Sequence, residues 1–146
     1  MKYNLIKSNN SDIEKLIYYK KQTILEYADN LEKEELEQID KYTKEEVLKE
    51  INNYYNIVID HKIVGCLLLT DYEDGKLLDE LYLEEEYRNK GIGSNIIKTI
   101  LKENTIVYLW VYKLNKKAIS LYERLGFILK DETENRYYMK YIEKEA

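Results

Sequence analysis

The chain reads as an α/β fold: a mixed, mostly antiparallel sheet flanked by helices, with two central strands running parallel. Three observations predict it. Two polar turns, Asp60-His61-Lys62 and Asp74-Gly75, each separate β-branched or aliphatic runs and so mark successive antiparallel hairpins. Between Leu77 and Tyr112 the pattern is strand, glycine turn, helix, strand, and a helical crossover of that kind joins parallel neighbours. The N-terminal third carries its apolar residues at three- and four-residue steps, the period of a helix. With 146 residues and no linker, repeat or low-complexity tract, one domain spanning 1–146 is expected.

Tyr3, Leu5 and Lys7 alternate with Asn4, Ile6 and Ser8, which suits a short first strand, and Ser11 or Asp12 can cap a helix. That helix is predicted from Asp12 to about Tyr27, its stripe made by Ile13, Leu16, Ile17, Ile24, Ala28 and Leu31, with a break near Asp29-Asn30. Leu36 and Ile39 suggest a short second helical piece. Thr43, with Glu46 three residues later, matches a capping box and predicts a further helix that buries Val47, Leu48 and Ile51. Residues 55–59 and 63–71 then form the first hairpin, and 76–83 the strand after the second turn. Residues 105–112 are the richest β-type run and read as a central strand. Asn115 opens a helix carrying Ala118, Leu121, Tyr122 and Leu125, closed by Gly126 as a C′ glycine; 127–130 and 136–141 complete the sheet.

Hydrophobic residues make up 45% and charged residues 35%, the balance of a soluble globular protein, and no apolar run approaches the roughly twenty residues of a membrane helix. No membrane association is expected. Met1-Lys2-Tyr3-Asn4 leads straight into the first alternating segment, so a cytoplasmic location is expected. A net charge of −5 argues against nucleic acid as a partner. Residues 29–50 hold nine acids against four lysines, a surplus that would attract a cation. Cys66, alone and within an apolar run, reads as a buried structural thiol, and His61 at a hairpin tip is assigned no role.

The stretch Arg88-Asn89-Lys90-Gly91-Ile92-Gly93-Ser94 joins a strand to a helix. Gly91 and Gly93 leave two positions without a Cβ, so backbone N–H groups can approach a ligand closely. The helix N-terminus adds roughly half an elementary positive charge, and Arg88 and Lys90 stand beside it. A phosphate or pyrophosphate fits such a cradle. It is not a dinucleotide fingerprint, because Ile96 occupies the third glycine position and Leu109-Trp110-Val111 stand where an acid belongs. Nor is it a P-loop, since the lysine precedes Gly91.

Leu81-Tyr82-Leu83 with Tyr87-Arg88-Asn89-Lys90-Gly91-Ile92-Gly93 after it, and then Asn115-x-x-Ala118-x-x-Leu121-Tyr122-Glu123-x-Leu125-Gly126-Phe127, resemble the two motifs of the Gcn5-related N-acetyltransferase (GNAT) superfamily. The resemblance covers essentially the whole chain. It implies that the two parallel strands splay apart with acetyl-coenzyme A wedged between them. Position by position, it implies that the loop Arg88, Asn89, Lys90, Gly91, Ile92, Gly93 and Ser94 donates N–H groups to the pyrophosphate. Leu81, Tyr82 and Leu83 would pair with the pantetheine amides, and Asn115 and Ala118 would border the cofactor arm. Tyr122 would be the general acid for the departing thiolate. Members that acetylate the N-terminal alanine of a ribosomal protein carry an acid where this chain has Trp110, so that specificity is not expected.

Attack on a thioester needs a neutral amine and hence a base. Asp79 and Glu80 are the candidates, Glu80 first; side chains alternate along a strand, so they point to opposite faces, and a bulge would swap their roles. The expected activity is direct acetyl transfer from acetyl-coenzyme A to a primary amine on a small cationic molecule, a polyamine or a lysine-like acceptor. No metal is implied, and the protein would be a monomer or homodimer. The alternative is a noncatalytic acyl-coenzyme A binding or regulatory module on the same fold.

Overall fold

The computed structural model describes residues 2–29 and 31–144. In chain order the elements are β1 (Asn4–Lys7), α1 (Ile13–Tyr27), α2 (Lys33–Glu50), β2 (Tyr54–Ile59), β3 (Lys62–Tyr72), β4 (Gly75–Leu83), α3 (Ile92–Glu103), β5 (Ile106–Tyr112), α4 (Lys116–Arg124), β6 (Ile128–Glu132) and β7 (Arg136–Ile142). One seven-stranded sheet has the order β1-β2-β3-β4-β5-β7-β6. Only β4 and β5 pair in parallel, as the crossover through α3 predicted.

The first hairpin signal is the turn itself, whereas at the second the turn falls on Glu73-Asp74, Glu73 at φ 47°, and Gly75 already opens β4. Asp60 and His61 take positive φ angles of 50° and 64°, the left-handed pair that a two-residue hairpin loop needs to match the strand twist. Gly126 closes α4 at φ 105°.

The second helical region differs from expectation. α2 is one continuous helix, and Thr43 lies inside it, its hydroxyl donating back to the carbonyls of Ile39 at 2.8 Å and Asp40 at 3.2 Å. The capping box is Glu32 with Glu35, one turn before Leu36. Thr43 is fully buried on the stripe with Ile39 and Val47, so packing against the sheet overrides the local start signal; Leu48 is turned outward and 47% exposed. The expected break at Asp29-Asn30 comes after the end of α1 at Tyr27, Asn30 itself lying outside the described residues.

The sheet separates two apolar clusters. On one face Ile96, Ile97 and Ile100 of α3 pack on Val64, Leu67, Leu78, Val107 and Leu109, with Ala118, Leu121 and Leu125 of α4 alongside. On the other, Leu16 and Tyr19 of α1 and Val47 of α2 cover Tyr54, Cys66 and Leu68. Each fully buried aliphatic side chain contributes about 1.5–3 kcal/mol.

Gly75 sets how closely β4 approaches β5. A Cβ there would overlap the Ile106 carbonyl oxygen, a backbone atom that can yield only if the strands move apart. Gly75→Ala is therefore expected to destabilise the fold by about 1–3 kcal/mol, the usual cost of overpacking, in urea unfolding. An unchanged midpoint would mean that this approach is not a constraint.

Candidate active site

β4 and β5 pair only through Lys76–Val107, Leu77–Tyr108 and Leu78–Leu109. Beyond Leu78 the two strands share no ladder. The break coincides with a bulge against β3, where Glu80 faces Leu68 and Leu78 faces Leu69, leaving Asp79 as the inserted residue. The bulge interrupts the expected alternation, and Asp79 and Glu80 line one cavity together with Lys20 instead of being separated on opposite faces. Leu78 and Leu81 face the α3 and α4 side, whereas Glu80 and Tyr82 face the side covered by α1.

Glu80 is buried and held by three donors. Its Oε1 accepts from Tyr54 Oη at 2.9 Å and Lys20 Nζ at 3.2 Å, and its Oε2 from the Cys66 thiol at 3.0 Å. Burial, with the Glu80 charge beside it, pushes the Cys66 thiol well up, so it remains a proton donor to that carboxylate. Burial alone would lower the Lys20 ammonium, but Glu80 and Asp79 outweigh it and the net shift is upward. Asp79 has no such set of partners and opens into a cavity of about 130 Å³, whose wall includes Trp110, Tyr112, Asn115 and Tyr122. Its carboxyl is raised above the usual range, first by desolvation among these walls and then by Glu80, Glu50 and Glu46, with Lys20 opposing. Tyr122, pushed up to about 12 chiefly by burial, keeps its proton at neutral pH and packs edge-on against Phe127.

The glycine turn faces a cleft of about 590 Å³ between the start of α3 and the length of α4, lined by Gly91, Gly93, Ser94, Lys117 and Arg124 among others. Gly91 caps α3 at φ 84°, and Asn89 is also left-handed at φ 61°. A Cβ at Gly91 would meet nothing within 4 Å, and one at Gly93 only Leu83 Cδ1 at 3.9 Å, so the space over the first turn is open to a ligand. The donors of that turn have no partner within the helix.

The side chains of the turn are placed less uniformly than the sequence suggested. Arg88 is bound on both terminal nitrogens by Glu26, at 2.7 and 3.1 Å, donates from Nε to the Leu83 carbonyl and stacks over Tyr82; it ties the turn to α1. Lys90 borders a separate hollow beside Asn4 and Asn95, and the Ile92 side chain is buried in the core. Arg88 still lines the cleft, and Lys116, Lys117 and Arg124 add basic groups that the glycine motif does not contain. Asn115 caps α4 by accepting from Ala118 N at 3.3 Å, leaving its amide NH₂ as the group free for a ligand.

The profile of the Acetyltransferase (GNAT) domain family matches residues 50–129, which hold β2 to β5, the glycine turn and α4. The chain belongs to the GNAT family. Over 71 residues, 44% of this chain and 47% of the relative, it is 30% identical to a spermine/spermidine N(1)-acetyltransferase of Bacillus subtilis. Over 54 residues, 34% of this chain and 32% of the relative, it is 43% identical to a thialysine N-epsilon-acetyltransferase of Sus scrofa. These matches thus span less than half the length of either relative. Among solved structures, the PaiA N-acetyltransferase of Thermoplasma acidophilum in complex with coenzyme A is 26% identical with a TM-score of 0.77, covering 97% of this chain and 99% of that one.

A second cavity of this GNAT protein, about 520 Å³, adjoins the one containing Asp79; Ile24, Tyr42, Tyr112 and Arg136 border both, and Glu34 and Glu35 of α2 line the outer one. Sequence reasoning missed Lys20, Glu26 and Arg136. For Lys20 there was a signal: it lies four residues after Leu16, on the stripe that α1 buries. Glu26 and Arg136 had none, since their partners arrive from distant elements.

The Glu80 network predicts a stability effect. Glu80→Ala leaves the Lys20 ammonium, the Tyr54 hydroxyl and the Cys66 thiol without their acceptor, and is expected to cost about 3–5 kcal/mol in chemical denaturation. A loss below about 1 kcal/mol would place Glu80 outside the structural core of the site.

Proposed function

We propose that the protein is an acetyl-coenzyme A dependent N-acetyltransferase acting by direct transfer to a primary amine. The observation that carries the reading is the separation of β4 from β5. It leaves an anion cradle at the glycine turn on one side and a cavity holding Asp79 and Tyr122 on the other. The donors of the α3 first turn, with Lys116, Lys117 and Arg124, bind the pyrophosphate. The extended arm pairs with the backbone of Leu81, Tyr82 and Leu83, and the Asn115 amide borders it.

In the transfer, the amine nitrogen bonds to the thioester carbonyl carbon and the carbon–sulfur bond breaks. Asp79, the better placed of the acidic pair, takes the amine proton directly or through a water. Its raised affinity for protons brings it closer to the working range of a general base. Glu80, held by three donors, positions Lys20 and the bulge. Tyr122 gives its proton to the thiolate. The acceptor is a small cationic amine, a polyamine or a lysine-like molecule: the named relatives act on spermine, spermidine and thialysine, and Glu34 and Glu35 border the outer cavity.

Asp79→Asn is expected to lower kcat by about 10²–10⁴-fold. Protonation as pH falls removes the base, so the wild-type kcat/KM profile should show an acid limb lying above the ordinary carboxylate range, and the variant should lack it. Tyr122→Phe should lower kcat comparably with coenzyme A affinity unchanged. Near-normal turnover in both variants, with chemistry rate-limiting, would sink these assignments. For the cradle, calorimetry on Gly91→Val with Gly93→Val should show coenzyme A binding lost, the double variant remaining folded by circular dichroism. Undiminished binding would put the pyrophosphate elsewhere.

A further inference from the structure

We propose that Arg136 binds a carboxylate of the acceptor, so that the preferred acceptor is a zwitterionic amino acid bearing a second, distal amine rather than a diamine or polyamine. The inference rests on the acetyl-transfer reading and narrows its substrate class.

Arg136 opens β7 directly opposite Tyr112 of β5, so the two side chains share a sheet face with Trp110. The guanidinium carbon lies 4.9 Å from the Trp110 ring centroid and 6.0 Å from that of Tyr112. This stacking holds the cation beside two aromatic rings and leaves the hydrogen-bonding edge of the fork to other partners. The group borders both the cavity of Asp79 and the outer cavity of Glu34 and Glu35.

Its lack of an ion pair sets it apart from Lys20, the other cation that lines the cavity of Asp79. Arg88 is neutralised by Glu26, Lys20 by Glu80 and Lys113 by Glu132, whereas Arg136 forms no ion pair among the described residues. A half-buried guanidinium without a counter-charge, facing the acceptor space, is costly unless something anionic arrives. An acceptor bearing only ammonium groups meets it as repulsion. One with a carboxylate at one end and an amine at the other satisfies the fork, and presents the amine to Asp79 and its second charge to the acidic wall. A planar fork suits a carboxylate in two parallel hydrogen bonds.

The test compares acceptors that differ only by the carboxylate: lysine with 1,5-diaminopentane, and ornithine with 1,4-diaminobutane. For the wild type, kcat/KM is expected to favour the amino acid of each pair by about 10-fold or more, the worth of a charge-assisted contact. In Arg136→Gln the ratio should fall to about one, mainly through KM for the amino acid, and Arg136→Lys should retain part of it. The inference is overturned if the diamine is the better acceptor of the wild type, or if the ratio survives Arg136→Gln. It is equally overturned if that variant lowers kcat alike for both members of a pair, since Arg136 would then act on the transferred group. Calorimetric binding of lysine and 1,5-diaminopentane to the protein saturated with coenzyme A separates the two layers. Selective lysine binding without thiol release from any acceptor sinks the transfer reading and leaves the carboxylate subsite standing; thiol release with the diamine preferred does the reverse.

Discussion

The backbone of residues 79–83 is extended, lies in the middle of the sheet, and has β3 on one side but no strand on the other. Main-chain donors and acceptors inside a fold need partners, and an interior strand edge is a template for another extended, amide-bearing chain. Two local features enforce the opening. Gly75 lets β4 approach β5 closely where pairing begins, and the residue inserted at Asp79 bends β4 where pairing stops. The cavity, the exposure of Asp79 and the burial of Glu80 all result from that one register change.

Helix α1 is attached to β4 and to the turn after it by side chains rather than by sheet pairing. Lys20 reaches Glu80, Tyr19 Oη donates to Glu84 at 2.5 Å, and Glu26 grips Arg88. Tyr19 and Glu26, seven residues apart, lie on one face of α1 and Lys20 on the adjoining one, so a single helix fixes both the acidic pair and the glycine turn. The Arg88 guanidinium holds the Glu26 carboxyl below the usual range. That charge is largely neutralised where it lines the cleft, and α4 adds Lys116, Lys117 and Arg124 to the lining.

Punctuation made much of this fold legible in the sequence. Gly91 and Gly126 take left-handed φ and Gly75 sits against the Ile106 carbonyl, positions where backbone geometry leaves few alternatives, and they bound the elements between them. Where two local signals competed, packing chose: Thr43-x-x-Glu46 and Glu32-x-x-Glu35 both have the spacing of a helix start, but Thr43 falls on a buried stripe and is carried into the helix interior. The glycine turn was legible as a place for a ligand, but the arrangement of side chains around it was not. One inserted residue interrupts the alternation of a strand, so the adjacent acids Asp79 and Glu80 come to line one cavity on a detail that no spacing reveals. The roles of basic residues were obscured for the same reason, since Arg88 finds its partner 62 positions away in the chain.

The acidity of residues 29–50 illustrates how a segment's average charge differs from what a ligand meets. Asp40 is paired with Lys21, Glu50 accepts from Asn53, and Glu32 and Glu35 cap their own helix. Of the segment's acids, Glu34 and Glu35 line the outer cavity, and there they share it with Arg136. At long range the whole surplus attracts cations, an effect that salt screens beyond about 8 Å at physiological ionic strength. At contact distance the lining is bipolar, and groups that touch a bound ligand in a partly desolvated cavity are screened far less. The segment can therefore draw cations toward the cavity from a distance, while the opposite charges of Glu34, Glu35 and Arg136 at its wall act at contact range. A uniformly acidic wall would accept a polyamine in either direction; a wall with one guanidinium set into it distinguishes the two ends of its ligand.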